Sequence, residues 1–203
     1  MRQADHAMYQ AKQDGRGVYR FFSDEMDQRA VQHYQLEMEI QTALEQQQFE
    51  LHYQPVVDLA SDSTVGFEAL IRWQHPVRGL LGPVEFIPAA ERSGLIVDIG
   101  RWVLEEACRQ AVKWQRPGQP LVVAVNISPV QLHRGDLESA VRTALANSDL
   151  PGACLELEIT ESVLMGDATT LADTIRHMKA LGVSIAVDDF GTGYSNLGYL
   201  QRF

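Results

Sequence analysis

Cys154-Leu155-Glu156-Leu157-Glu158-Ile159-Thr160 and Val183-Ser184-Ile185-Ala186-Val187-Asp188-Asp189 flank residues 167–181, whose apolar residues recur with helical spacing. Two strand-like runs joined by a crossover helix form the unit of a parallel sheet. The same rhythm extends upstream: 121–127 reads as a strand, 129–147 as a helix and 83–115 as mostly helical. The strands are near-continuous apolar runs, the composition of a sheet buried on both faces. Residues 49–57 and 64–73 break the rhythm. They are strand-like runs separated only by Asp58-Leu59-Ala60-Ser61-Asp62-Ser63, too short for a parallel crossover, so they form an antiparallel hairpin. Five core strands result. An open five-stranded sheet with a hairpin at one end satisfies this pattern. An interrupted (β/α) barrel is the preferred reading, because in that fold functional residues collect where strands end, on one face.

At 203 residues and 45% hydrophobic content the chain can bury a sizeable core. No apolar run reaches the roughly 18 residues needed to span a bilayer, and Met1-Arg2-Gln3-Ala4-Asp5-His6 begins no signal peptide, so a cytoplasmic location is expected. Cys108 and Cys154 have no zinc-ligand or disulfide spacing and are expected as buried free thiols. The formal net charge of −10 argues against a nucleic-acid polymer as partner. An anionic substrate would need a local reversal of that field, which a divalent cation supplies.

Successive strands end in hard oxygen donors: Glu68, Asn126, Glu158 and the Asp188-Asp189 pair. Carboxylates with an amide oxygen suit Mg²⁺ or Mn²⁺ better than zinc. Adjacent carboxylates can bridge two such ions about 3.5–4 Å apart, the arrangement that serves in-line phosphoryl displacement. Singly, each residue has an ordinary reading. Glu68 can pair with Arg72, Asn126 can satisfy backbone groups, and Glu158, Glu161 or the two aspartates can cap a following helix. Jointly, so many acids at neighbouring strand ends would repel one another without a cation. His52, His75 and His133 form no ligand spacing, and Trp73, Trp102 and Trp114 read as packing residues.

Gln54-Pro55-Val56-Val57-Asp58, Glu68-Ala69-Leu70-Ile71-Arg72-Trp73, Glu85-Phe86-Ile87-Pro88, Asn126-Ile127-Ser128, Glu158-Ile159-Thr160-Glu161-Ser162 and Asp188-Asp189-Phe190-Gly191-Thr192-Gly193-Tyr194-Ser195 resemble, in order, the motifs of the EAL-domain family of cyclic di-GMP phosphodiesterases. The resemblance implies an α/β fold, an incomplete (β/α)₈ TIM-like barrel with an antiparallel first strand and about five of eight strands present. It implies metal binding, with Mg²⁺ or Mn²⁺, by Glu68, Asn126, Glu158 and Asp188, with Asp189 helping to hold a second ion. Glu68, Glu158, Asp188 and Asp189 become the catalytic set, and Gln54, Leu70, Arg72 and Asn126 the contacts to cyclic di-GMP. Residues 190–196 resemble the segment that links metal binding to homodimer formation, with Asn196 and Gly198 where the family often has serine.

Residues 4–17 resemble the last helix and turn of a GGDEF, or diguanylate cyclase, domain. The organisation expected is thus a GGDEF remnant over 1–22, a linker helix over 23–47 and the N-terminal part of an EAL domain over 48–203. The family's catalytic lysine, a later metal-binding glutamate and a closing-strand glutamine have no counterpart before Phe203. The expectation is a marginal fold, with exposed sheet edges, and little turnover by this chain alone. Two function classes remain: metal-dependent hydrolysis of cyclic di-GMP to linear pGpG, and a catalytically silent module that binds cyclic di-GMP or a protein.

Overall fold

The computed structural model describes residues 24–134, 136–161 and 168–188; the expectations for 1–22, Asp189 and 190–196 fall outside the described residues. Helix α1 (Asp24–Glu45) leads into strand β1 (Phe49–Asp58), which turns back through four residues into β2 (Ser63–His75). The two pair antiparallel, with Gln54 opposite Glu68 and Phe49 opposite Trp73, as the short connection requires. Asp58 closes the turn by accepting from the amides of Ala60 and Ser61. A three-residue strand, β3 (Gly79–Leu81), folds back onto the end of β2, a pairing too short to announce itself in periodicity.

From there the expected alternation holds. Helices α2 (Pro83–Ser93) and α3 (Ile96–Trp114) precede β4 (Val122–Asn126). Helices α4 (Pro129–Arg134) and α5 (Leu137–Ser148) and a 3₁₀ turn (Gly152–Cys154) precede β5 (Leu155–Thr160). Helix α6 (Ala168–Ala180) precedes β6 (Ser184–Asp188). The sheet order is β1-β2-β4-β5-β6, with β2, β4, β5 and β6 mutually parallel. Local chemistry sets the boundaries. Pro83 begins α2, the Glu85 side chain accepts from the Gly82 amide at 3.1 Å, and Gly94 ends the helix at φ 86°. Asp136 caps α5 by accepting from the Ser139 amide. The Gln115 side chain spans the α3–β4 loop, giving a bond to the Leu121 carbonyl and taking one from its amide.

Side chains alternate across a strand, and residues paired across neighbouring strands share a face. One face of the sheet therefore carries Phe49, Ala69, Trp73, Val123, Val125, Leu155 and Leu157, all buried under the helices. The opposite face carries Gln54, Glu68, Arg72, Asn126, Glu158 and Asp188, which are half-buried or exposed. Gly66 and Ala124, on that same face, are buried. In β5 the burial alternates residue by residue, and the polar members are the carboxylates.

Trp73, fully buried, is the hub of the hairpin's core. Its ring lies 5.7 Å from Phe49 and 5.6 Å, edge-on, from Phe86, and its indole N–H donates to Gln48 at 3.0 Å. Trp102 joins the cluster through Phe49, while Trp114 packs on Tyr53 and Phe67. Gly66 is required where β2 approaches β4, since a Cβ there would fall 2.4 Å from the Val122 carbonyl oxygen. Cys108 and Cys154 are buried free thiols, and burial pushes the Cys108 thiol up to about 12. No helix among the described residues is long and apolar enough to cross a membrane.

Candidate metal and phosphoester site

On the polar face Asn126, Glu158 and Asp188 stand at or near the carboxyl ends of β4, β5 and β6, whereas Glu68 lies midway along β2, which continues to His75 and so departs from the strand-end placement expected. Register aligns Asn126 of β4 with Glu158 of β5, and Thr160 of β5 with Asp188 of β6. Glu68 of β2 aligns with Ala124, one alternation before Asn126. The Asn126 amide spans that offset, donating from Nδ2 to Glu68 Oε1 at 2.8 Å. Glu68 is thus bound to Asn126, and Arg72 gives one of its donors to the Ile71 carbonyl at 2.8 Å. The alternative of a Glu68–Arg72 pair is not the arrangement found.

Glu158 occupies the centre of the acidic row. Burial pushes its carboxyl up to about 7, and the charges of Glu68, Asp188 and Glu156 add to the rise. A carboxyl this reluctant to ionise is one that a cation would relieve. The donor set fits a hard divalent ion: three carboxylates and an amide, each delivered by a different parallel strand. Among the described residues, no three His, Cys, Asp or Glu side chains converge tightly enough to form a ligand cluster. The fourth donor of the set is the Asn126 amide, which is not among those residue types.

A cleft of about 460 Å³ opens beside this row. Glu68, Asn126, Thr160 and Asp188 line its polar side, and Leu70, Ile87, Pro88 and Val103 are among its apolar lining. Gln54, on the polar face of β1, is opposite Glu68. On the same strand, Glu50 accepts from His52 at 2.7 Å and from Gln74 at 3.1 Å, and the His52 bond holds its carboxyl below the usual range.

Ser128 of the Asn126-Ile127-Ser128 motif holds the segment after β4 together with Glu91 and Gln131, two residues without a sequence signal of their own. The Ser128 hydroxyl donates to Glu91 of α2 at 2.6 Å, its amide donates to the Gln131 side chain at 3.1 Å, and Gln131 is buried. Glu91 and Ser128 are 37 positions apart, so only the tertiary fold brings them together.

The profile of the EAL domain family matches residues 37–203. The chain belongs to that family. It is 46% identical over 200 residues to the bifunctional diguanylate cyclase/cyclic di-GMP phosphodiesterase MucR of Pseudomonas aeruginosa, covering 98% of this chain and 29% of that protein. It is 42% identical over 203 residues to the cyclic di-GMP phosphodiesterase PdeR of Escherichia coli, covering 100% of this chain and 31% of that protein. The chain therefore spans under a third of the length of these curated relatives. Among solved structures, the MucR phosphodiesterase in complex with cyclic di-GMP superposes with a TM-score of 0.78 at 46% identity, over 83% of this chain and 69% of that one. The neighbours are EAL domains, and the half-barrel sheet with its reversed first strand is part of their TIM-barrel architecture.

Proposed function

We propose that this domain hydrolyses one phosphodiester of cyclic di-GMP to give linear pGpG, using Mg²⁺ or Mn²⁺ held by Glu68, Asn126, Glu158 and Asp188. Asp189, outside the described residues, is assigned to a second ion. The observation that carries the reading is that Glu158 shares one face of the sheet with Glu68 and Asp188 on other strands, where burial and their charges raise its carboxyl to about 7. The cations would supply a lowered water pKa and neutralise charge developing on the phosphoryl group.

The chain's own residues bind and orient the substrate. Arg72, with a planar fork of donors, is assigned to a phosphate, and Gln54, Leu70 and Asn126 to the dinucleotide beside it. The apolar wall of the cleft takes the flatter, less charged part of the ligand. The same reading makes 1–22 part of a GGDEF unit, 23–47 a linking helix and 48–203 EAL domain. It also makes the domain a cytoplasmic signalling component that works as a homodimer.

The test is Mn²⁺ binding and cyclic di-GMP turnover by the whole protein carrying Asp188→Ala or Glu68→Ala. Loss of both with the fold intact supports the assignment, and unchanged Mn²⁺ affinity refutes it. Cyclic di-GMP binding without pGpG formation in the unsubstituted protein would favour the silent-module alternative.

A further inference from the structure

Asn126 does two things at once in the site. It bridges to Glu68, and it stands beside Glu158 on the next strand. Its usefulness depends on where the β4 end is held, because a single amide can present its oxygen to a cation only if the backbone beneath it is fixed. β4 stops at Asn126, and the chain then turns into α4, so the sheet stops supporting it at the residue that matters.

Three separate attachments replace that support. The Ile127 amide donates to the Glu158 carbonyl at 2.8 Å, which ties the segment to β5. Ser128 is tied to α2 by its hydroxyl bond to Glu91. The same hydroxyl accepts from the Val130 amide at 3.2 Å, which orients its proton toward Glu91. Gln131 is 5% exposed and accepts from the Ser128 amide, while its own amide group lies against α3 at Gly100. A Cβ at residue 100 would fall 2.0 Å from Gln131 Nε2, so the glycine is what lets the side chain lie there.

Building on the metal site proposed above, we propose that Glu91 and Gln131 are positioning residues that clamp residues 127–131 between α2 and α3 and so set the Asn126 amide relative to Glu68 and Glu158. Both line the same cleft as Glu68 and Asn126, and their side chains bond to Ser128. Their effect passes through Ser128 to the strand end, which is how partners behind a ligand tune metal affinity.

The experiment compares Glu91→Ala and Glu91→Gln in the whole protein, reading Mn²⁺ affinity by calorimetry beside thermal melting. Gln retains an acceptor oxygen for Ser128 and Ala does not. The expected result is a loss of about 10-fold or more in Mn²⁺ affinity for Glu91→Ala, with affinity largely recovered in Glu91→Gln. Ser148→Ala, which removes a serine bond to the Ala144 carbonyl in α5, is the control for general loosening and should leave Mn²⁺ affinity unchanged. If Glu91→Ala does not fold, Gly100→Ala is read instead, with the same loss expected from displacing Gln131. Mn²⁺ binding by the parent that neither Glu91→Ala nor Gly100→Ala weakens overturns the clamp alone. Absence of Mn²⁺ binding by the parent overturns the metal site and the clamp together.

Discussion

Replacing Glu158 with glutamine should make the metal-free protein more stable at alkaline pH while removing its response to metal. The carboxyl is raised from 4.5 to about 7, so the folded state holds its proton more tightly than the unfolded chain does. Its contribution is fully favourable below the unfolded value of 4.5 and is lost as pH climbs through about 7. Taken at face value, such a shift is worth about 3 kcal/mol. Glu158 is only partly buried, however, and solvent screening reduces this to about 1–2 kcal/mol. Glutamine mimics the protonated acid at every pH. Metal-free Glu158→Gln should therefore melt at the parent's temperature near pH 4.5 and about 2–8 °C above it at pH 8. Millimolar Mn²⁺ should reverse the order at pH 8, because the cation stabilises the parent's carboxylate and finds a weaker donor in the variant. Scanning calorimetry at the two pH values, with and without Mn²⁺, reads all four states. A variant that is destabilised equally at both pH values, or that gains as much from Mn²⁺ as the parent, would refute the electrostatic account of the row.

Gly66→Ala should destabilise the domain by about 1–3 kcal/mol, because the added methyl meets a backbone carbonyl and not a side chain that can move; urea denaturation checks it. Arg72→Lys should keep the charge but lose the planar fork, weakening cyclic di-GMP binding with Mn²⁺ affinity intact. Paired calorimetric titrations with the dinucleotide and with Mn²⁺ separate the two effects.

The hairpin was legible because connection length is a hard constraint: the run between 49–57 and 64–73 cannot hold a crossover. The parallel order was legible for the complementary reason, since helical periodicity fills every later gap. Asn126, Glu158 and Asp188 could be placed at or near strand ends from sequence, while Glu68 falls midway along β2, which the sequence did not reveal; that all four share one face follows from register, which is a tertiary property. The polar face itself was obscured by Val122, Ala124 and Ala186, small or apolar residues that occupy the same side as the acids and make the strands read as buried throughout. Glu91 and Gln131 carried no local pattern, because their partners are reached only after α3 and β4 have packed.

The reversed first strand has a mechanical consequence. In a barrel whose strands all run one way, the chain enters at the end remote from the functional rim. Here β1 starts beside Trp73, beyond Glu68 along β2, so α1 is fastened to the rim that carries the acids. The fastening is made through Gln48, whose side chain accepts from Trp73 and whose carbonyl accepts from the Gln74 amide, and through Glu39, which pairs with Arg78 at 3.2 Å. Ile40 and Ala43 of α1 are themselves fully buried in the core, so a force on α1 reaches the strand that carries Arg72 both through these bonds and through that packing.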